Sequence, residues 1–221
     1  MSNLLPCVEV NPSKNPVASV VWLHGLGADG HDFEAVVPML KIPDSLPIRF
    51  VFPHAPERPV TLNAGFVMRA WYDIVDLNFP RTVNLEELEI SVQQTVALVE
   101  REMENGLPSE KIILAGFSQG GAIALHASLR LPYKLAGILA LSTYMVNSET
   151  LAAERNLINQ DTSIFMAHGT KDPVVPVAHG RQAYNDLQSF GYPISWTEYP
   201  MEHMVCLEEI QDVSAWMSDT L

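Results

Sequence analysis

The sequence predicts an α/β protein with a mostly parallel sheet and helices on both faces of that sheet. Apolar runs bounded by glycine or proline alternate along the chain with longer segments of helical periodicity. Several of the runs are apolar nearly throughout, which is typical of parallel strands covered on both sides. The length of 221 residues, with 48% hydrophobic and 18% charged residues, fits one globular domain over residues 1–221.

The predicted strands are short apolar runs. They cover residues 17–23, 48–52, 111–115, 136–141, 163–167 and 194–199, with residues 7–10 as an extra edge strand. The longest segment without clear periodicity covers residues 53–84. It exceeds the usual length of a loop, and such segments are generally functional or carry structure of their own.

The predicted helices lie between these strands. They cover residues 33–40, 85–104, 119–129, 178–190 and 205–220. The longest of them places Leu88, Val92 and Val99 on one apolar stripe, with Glu86 and Gln93 outside it. Residues 142–162 are too few for a cap domain between two strands, so we expect a comparatively open site.

Charge and cysteine content exclude several classes of protein. The formal net charge is −13, and there is no basic footprint of the kind that nucleic-acid-binding proteins carry. The same excess of acidic residues disfavours docking on anionic lipids, and no apolar run approaches the ~18 residues of a membrane span. Two cysteines, Cys7 and Cys206, are too few for a disulfide framework. Without a recognisable signal peptide, we expect a cytoplasmic protein that does not insert stably into a membrane.

Residues 116–120 carry the strongest motif, Gly-Phe-Ser-Gln-Gly, which matches the G-x-S-x-G nucleophile elbow. An apolar strand precedes it, and small residues follow it at the start of a predicted helix. A serine hydroxyl is a poor nucleophile unless it is exposed beside a base, and a sharp strand-to-helix turn exposes it. The alternative is that the glycines only form a turn and that Ser118 is a helix N-cap.

A base and an acid are expected after the serine, at the ends of later strands. Asp172 follows the strand at 163–167, and His203 follows the strand at 194–199. Open α/β sheets place their sites at these carboxyl ends of strands. The rival carboxylates are Asp161, which precedes its strand, and Asp186, which lies in a helical segment.

Six further histidines compete with His203, but their positions in the chain disfavour them as the base. They lie near helix starts, within the helix after the serine, in a proline-rich loop or at earlier strand ends: His24, His31, His54, His126, His168 and His179. We predict that His24 braces its loop and that His168 supports loop structure.

An oxyanion hole requires two N–H donors, one after the serine and one from an early strand-end loop. The Gln119 N–H lies at a helix start, and residues 24–27, His-Gly-Leu-Gly, supply the early loop, from which we choose the Leu26 N–H. Residues 25–30 also match the dinucleotide-binding fingerprint G-x-G-x-x-G. The next strand does not end in the acidic residue that this motif needs, so no cofactor is expected. No metal-binding motif is present in the sequence.

Several further blocks make the chain similar to a known family, the small α/β-hydrolase carboxylesterases that include acyl-protein thioesterases and lysophospholipases. The matching blocks lie at residues 23–27, 52–56, 69–73, 116–121, 141–143, 168–176 and 203. The resemblance covers nearly the whole chain and implies the α/β-hydrolase fold. It assigns the same three residues as a Ser-His-Asp triad and the same two donors to the oxyanion hole. It also suggests a homodimer.

The function expected from these features is hydrolysis of carboxylic esters, or of thioesters, through an acyl-enzyme intermediate. Trp71, Val174 and Val175 are candidates to line an apolar acyl groove beside the 53–84 segment, with ordinary core packing as the alternative for each. Short-chain esters, acylated proteins and lysophospholipids all fit as substrates. The rival functions are a peptidase or lipase on the same scaffold, and a hydrolase-like fold that only binds.

Overall fold

A seven-stranded sheet forms the centre of the protein. The computed structural model describes residues 4–12, 14–76, 78 and 81–221. The strands are β1 (Cys7–Val10), β2 (Ala18–Leu23), β3 (Ile48–Pro53), β6 (Ile112–Phe117), β7 (Gly137–Leu141), β8 (Ser163–Gly169) and β9 (Ile194–Tyr199), in the spatial order β1-β3-β2-β6-β7-β8-β9. Only β1 within this sheet runs antiparallel to its neighbour. The predicted parallel sheet with an extra edge strand is therefore confirmed.

The 53–84 segment carries structure of its own. It contains an antiparallel hairpin of β4 (Glu57–Val60) and β5 (Phe66–Arg69), followed by a bridge between Ile74 and Val83. Asp73 accepts hydrogen bonds from the backbone and the hydroxyl of Thr61, which fastens the hairpin to the chain that follows it. The sequence did not predict these strands because each has only four residues and neither alternates clearly between apolar and polar positions.

The helices are α1 (Leu85–Glu104), α2 (Gln119–Ser128), α3 (Leu151–Glu154), α4 (Val177–Ser189) and α5 (Leu207–Thr220). The Asn84 side chain caps α1 by accepting hydrogen bonds from the N–H groups of Glu86 and Glu87, which is why the helix begins there. The predicted helix at 33–40 is instead a 3-10 segment over Glu34–Met39; Pro38 lies inside it, and in an α-helix its ring would clash with the carbonyl group four residues earlier.

Helices cover both faces of the sheet, as predicted. On one face α1 and α2 contribute Leu88, Val92 and Ile123 to the core, and on the other α5 contributes Ile210 and Val213. The connection from β7 to β8 holds only 3-10 segments and the short α3, and it forms no cap domain. In the described part of the chain, no helix combines the length and the apolar character needed to cross a membrane.

Candidate active site

Ser118 occupies the turn between β6 and α2. Its backbone has φ 55° and ψ −120°, a strained conformation for a residue with a side chain. A Cβ on Gly116 would lie 2.3 Å from the backbone of Gly120, and a Cβ on Gly120 would lie 2.5 Å from the carbonyl oxygen of His24. Glycine is required at both positions, because only glycine lets the turn, α2 and the end of β2 approach so closely.

The structure brings Ser118, His203 and Asp172 together. The Nε2 atom of His203 lies 2.9 Å from Ser118 Oγ, and its Nδ1 atom lies 2.6 Å from Asp172 Oδ2. Because a carboxylate only accepts, Nδ1 carries the proton and Nε2 presents a lone pair to the hydroxyl. Asp172 and His203 follow β8 and β9, so their loops lie at the same sheet edge as the elbow after β6.

Asp172 is held in its ionised form. Burial raises the pKa of this carboxyl, but hydrogen bonds from His168, His203 and the Val175 N–H outweigh burial and hold the pKa well below its usual range. The Oδ1 atom accepts the N–H groups of Val174 and Val175, both at 2.8 Å. The carboxylate is therefore both charged and fixed in direction, as a partner of a histidine base must be.

The two predicted oxyanion donors lie beside the serine. Leu26, Gln119 and Ser118 line the same cavity. Among the described residues, neither the Leu26 N–H nor the Gln119 N–H donates to an acceptor, so both are available to a ligand. The loop around Leu26 is anchored by the Gly27 N–H, which donates to the carbonyl oxygen of Arg69 at 2.9 Å.

His24 braces this loop from within the core. Its Nδ1 atom lies 2.7 Å from the Gly25 carbonyl oxygen, and its Nε2 atom accepts the Ala55 N–H at 3.1 Å. This pair of contacts requires a neutral imidazole with its proton on Nδ1. Burial also lowers the pKa of His24 to about 4, which keeps the ring neutral at physiological pH.

The cavity beside Ser118 has a volume of about 220 Å³ and a mainly apolar wall. Its apolar lining consists of Leu26, Leu62, Ile74, Pro173, Val174 and Val175. Val174 is 49% exposed at the rim, whereas Val175 is buried. A second cavity of about 360 Å³ lies elsewhere, under Leu40 and Phe50, and none of the predicted site residues lines it.

Trp71 does not line this cavity, and its predicted role in an acyl groove is wrong. Its side chain is wholly buried. Its indole N–H donates to the His24 carbonyl oxygen at 2.9 Å, and its backbone N–H donates to Gln119 Oε1 at 2.9 Å. The sequence identified an aromatic residue near the site, but it could not tell which way the ring points.

Sequence reasoning did not identify Leu62, Ile74, Arg81 or Tyr144, which also line the cavity. Leu62 and Ile74 lie in the 53–84 segment, and Tyr144 follows the end of β7. The strand-end position of Tyr144 was the available signal, since such positions face the site in open α/β sheets. No equivalent signal marked Leu62 or Ile74. Within the described residues, no three His, Cys, Asp or Glu side chains are grouped as metal ligands.

A serine at a strained strand-to-helix turn, bonded to a histidine from a later strand end of a mostly parallel sheet, is the arrangement that characterises α/β-hydrolase enzymes. Residues 5–221 match the family model for phospholipases and carboxylesterases, and the chain belongs to this family. It is therefore a carboxylic ester hydrolase, which confirms the expectation from the sequence.

Curated relatives with similar sequences include two fungal proteins. Acyl-protein thioesterase 1 of Neurospora crassa is 37% identical, over 92% of this chain and 87% of the relative. Acyl-protein thioesterase 1 of Cryptococcus neoformans is 34% identical over the full length of both chains.

Solved structures with the same fold include two plant proteins. SOBER1 of Arabidopsis thaliana superposes with a TM-score of 0.85 at 28% identity, covering 92% of this chain and 98% of that one. Acyl-protein thioesterase 2 of Zea mays superposes with a TM-score of 0.84 at 27% identity, covering 97% and 98% of the two chains.

Proposed function

We propose that Ser118, His203 and Asp172 are the catalytic triad of this ester hydrolase, with the Leu26 and Gln119 N–H groups as its oxyanion hole. Ser118 Oγ attacks the acyl carbonyl carbon while its proton moves to His203 Nε2. The carbonyl oxygen gains the negative charge and is stabilised by the two N–H groups. The intermediate then expels the alcohol or thiol, which takes the proton from His203, and leaves an acylated serine.

Water then hydrolyses the acyl-enzyme by the same proton transfers in the opposite order. His203 removes a proton from the water as it attacks the acyl-enzyme, and then returns the proton to Ser118 Oγ as the carboxylic acid leaves. Asp172 keeps the imidazole in the required tautomer and stabilises its protonated form. The observation that carries this proposal is the continuous hydrogen-bonded chain from Ser118 Oγ through His203 to Asp172, with distances of 2.9 Å and 2.6 Å.

For the physiological substrate we propose an acyl group joined to a protein by a thioester. The apolar cavity beside Ser118 suits the acyl chain, and both fungal relatives are named acyl-protein thioesterases. A thioester needs no activation beyond the triad, because a thiolate leaves more readily than an alkoxide. We also propose a cytoplasmic location, which suits the free thiols of Cys7 and Cys206, and a homodimer, as the family resemblance suggests.

Labelling with a fluorophosphonate, followed by peptide mapping, tests the triad. We expect one modified residue, Ser118, and no labelling of Ser118→Ala. Ser128→Ala is the matched control because Ser128 is a buried serine of α2 that does not face the site cavity. Acyl esters and thioesters of increasing chain length then test the substrate. Label on another residue would contradict the assignment of Ser118 as the nucleophile, and no label at all would favour a fold that only binds.

A further inference from the structure

We propose that Trp71 is a positioning residue for the oxyanion hole, and that together with the Gln119 side chain it sets the spacing between the two N–H donors. The inference rests on the proposed function of Leu26 and Gln119. The two donors come from different parts of the fold, since Leu26 follows β2 and Gln119 begins α2. The hydrogen bonds made by Trp71 connect these two parts directly.

The first connection starts at Gln119. Its side-chain Oε1 accepts the Trp71 N–H at 2.9 Å, and its Nε2 donates to the Tyr72 carbonyl oxygen at 2.7 Å. The carboxamide is buried, and these two hydrogen bonds satisfy its oxygen and its nitrogen. The residue that offers one oxyanion donor from its backbone therefore holds the 71–72 segment with its side chain.

The second connection runs from Trp71 to the other donor. The indole N–H of Trp71 donates to the carbonyl oxygen of His24 at 2.9 Å. The centroids of the Trp71 and His24 rings lie 5.3 Å apart. Ser91 of α1 donates its hydroxyl to the Trp71 carbonyl oxygen, which secures the backbone from a third side. Hydrogen bonds thus fix Trp71 at its backbone N–H, its carbonyl oxygen and its indole ring. The indole N–H in turn holds the carbonyl oxygen of His24 in place.

His24 completes the path to Leu26. Its imidazole Nδ1–H donates to the Gly25 carbonyl oxygen at 2.7 Å. That oxygen belongs to the same planar peptide unit as the Leu26 N–H, and a trans peptide directs the two groups to opposite sides. Fixing the Gly25 oxygen therefore also fixes the direction in which the Leu26 N–H points.

An oxyanion hole is effective only when its donors are held in place before charge develops. One donor is typically responsible for 10²–10³-fold in kcat, and small misplacements lose part of that effect. Loss of the indole N–H would loosen the Leu26 side of the hole while leaving the Ser118–His203–Asp172 contacts intact. We therefore expect a roughly 10-fold to 100-fold lower kcat, with KM changed by less than about threefold.

The test uses Trp71→Phe, which keeps an aromatic ring but lacks the N–H donor. Trp216→Phe is the matched control, because the Trp216 indole donates to Ser163 Oγ at 3.0 Å on the opposite face of the sheet. Trp71→Phe is expected to lower kcat and, in parallel, the affinity for a trifluoromethyl ketone, whose hemiketal oxygen occupies the hole. The midpoint of the acid limb of kcat/KM should not move, since the base is untouched.

A second variant tests the same inference if Trp71→Phe does not fold. Gln119→Met has a side chain of similar length without a charge; it removes both the acceptor for the Trp71 N–H and the donor to the Tyr72 carbonyl oxygen, and it should lower kcat and ketone affinity in the same proportion. Wild-type kcat in either folded variant, or a lower kcat with unchanged ketone affinity, would overturn the inference. Failure of the wild-type protein to label at Ser118 would instead overturn the proposed function.

Discussion

The Nε2 atom of His168 lies 3.4 Å from Asp172 Oδ2, and both side chains are completely buried. The same atom lies 2.7 Å from the Val175 carbonyl oxygen, which can only accept, so Nε2 carries a proton. Two imidazoles, those of His168 and His203, therefore approach the same Oδ2 atom of Asp172. His203 faces the serine, whereas His168 belongs to the strand end from which the Asp172 loop departs.

Replacing His168 by leucine should weaken both activity and folding. The variant removes a donor to Asp172 and leaves the Val175 carbonyl without its partner, which costs about 1–3 kcal/mol of unfolding free energy. We expect about a tenfold lower kcat/KM, because the carboxylate is less firmly held. Urea unfolding and steady-state kinetics measure the two effects. His31→Leu, at an exposed position, is the control, and equal losses in both variants would refute a specific effect at Asp172.

Asp172→Asn should reduce turnover by about 10⁴-fold without unfolding the protein. An amide can donate to His203 Nδ1, which favours the tautomer that has its proton on Nε2 and cannot accept the Ser118 proton. Steady-state hydrolysis of a short-chain ester measures the loss. Asp161→Asn serves as the control because it replaces the rival carboxylate, and a comparable loss there would contradict the assignment of Asp172.

The strain at Ser118 predicts that glycine stabilises this position. At φ 55° and ψ −120° a Cβ is unfavourable, and such strain amounts to about 1–3 kcal/mol. The unfolding free energy of Ser118→Gly, measured by denaturant titration, should therefore exceed that of Ser118→Ala. We expect a difference of about 1 kcal/mol, after subtraction of the extra flexibility that glycine gives the unfolded chain. Neither variant should hydrolyse esters. Equal stability of the two would mean that the elbow is not strained.

Glu209 predicts a pH-dependent loss of stability. Burial raises the pKa of this carboxyl to about 8 in the folded protein, well above its ordinary value. The folded state then holds a proton that the unfolded state has released, so stability falls as pH rises from about 4.5 to 8, by up to ~1.4 kcal/mol per pH unit. Glu209→Gln stays neutral and should lose this dependence. Denaturant titrations of both proteins at pH 5.5, 6.5 and 7.5 measure how the unfolding free energy depends on pH. The same dependence in the wild type and in Glu209→Gln would contradict the prediction.

The acyl-chain preference should depend on Leu62. This residue contributes to the wall of the cavity beside Ser118, so Leu62→Phe reduces the space available to an acyl chain. We expect kcat/KM for the longest acyl esters to fall relative to that for acetyl esters. Leu157→Phe is the control, because Leu157 is 66% exposed and does not line the cavity. An unchanged chain-length profile would mean that the acyl chain binds elsewhere.

Most of the fold could be predicted from local patterns. Apolar runs and helical periodicity identified every strand of the central sheet, and α1 has the predicted bounds. The segment at Glu34–Met39 was predicted as an α-helix and is a 3-10 helix. The β4–β5 hairpin was not predicted. Both are short, so a proline or a hairpin turn outweighs the apolar pattern on which the prediction depends.

The sequence by itself determined the order of strands and helices, the elbow at Ser118 and the candidates Asp172 and His203, because each depends on a local pattern or on position after a strand. Only the tertiary structure decided which surface Trp71 faces and which side chains line the cavity. Trp71 contacts His24 and Gln119, which lie 47 and 48 residues away along the chain. The orientation of a side chain depends on such distant partners, and no local pattern specifies them.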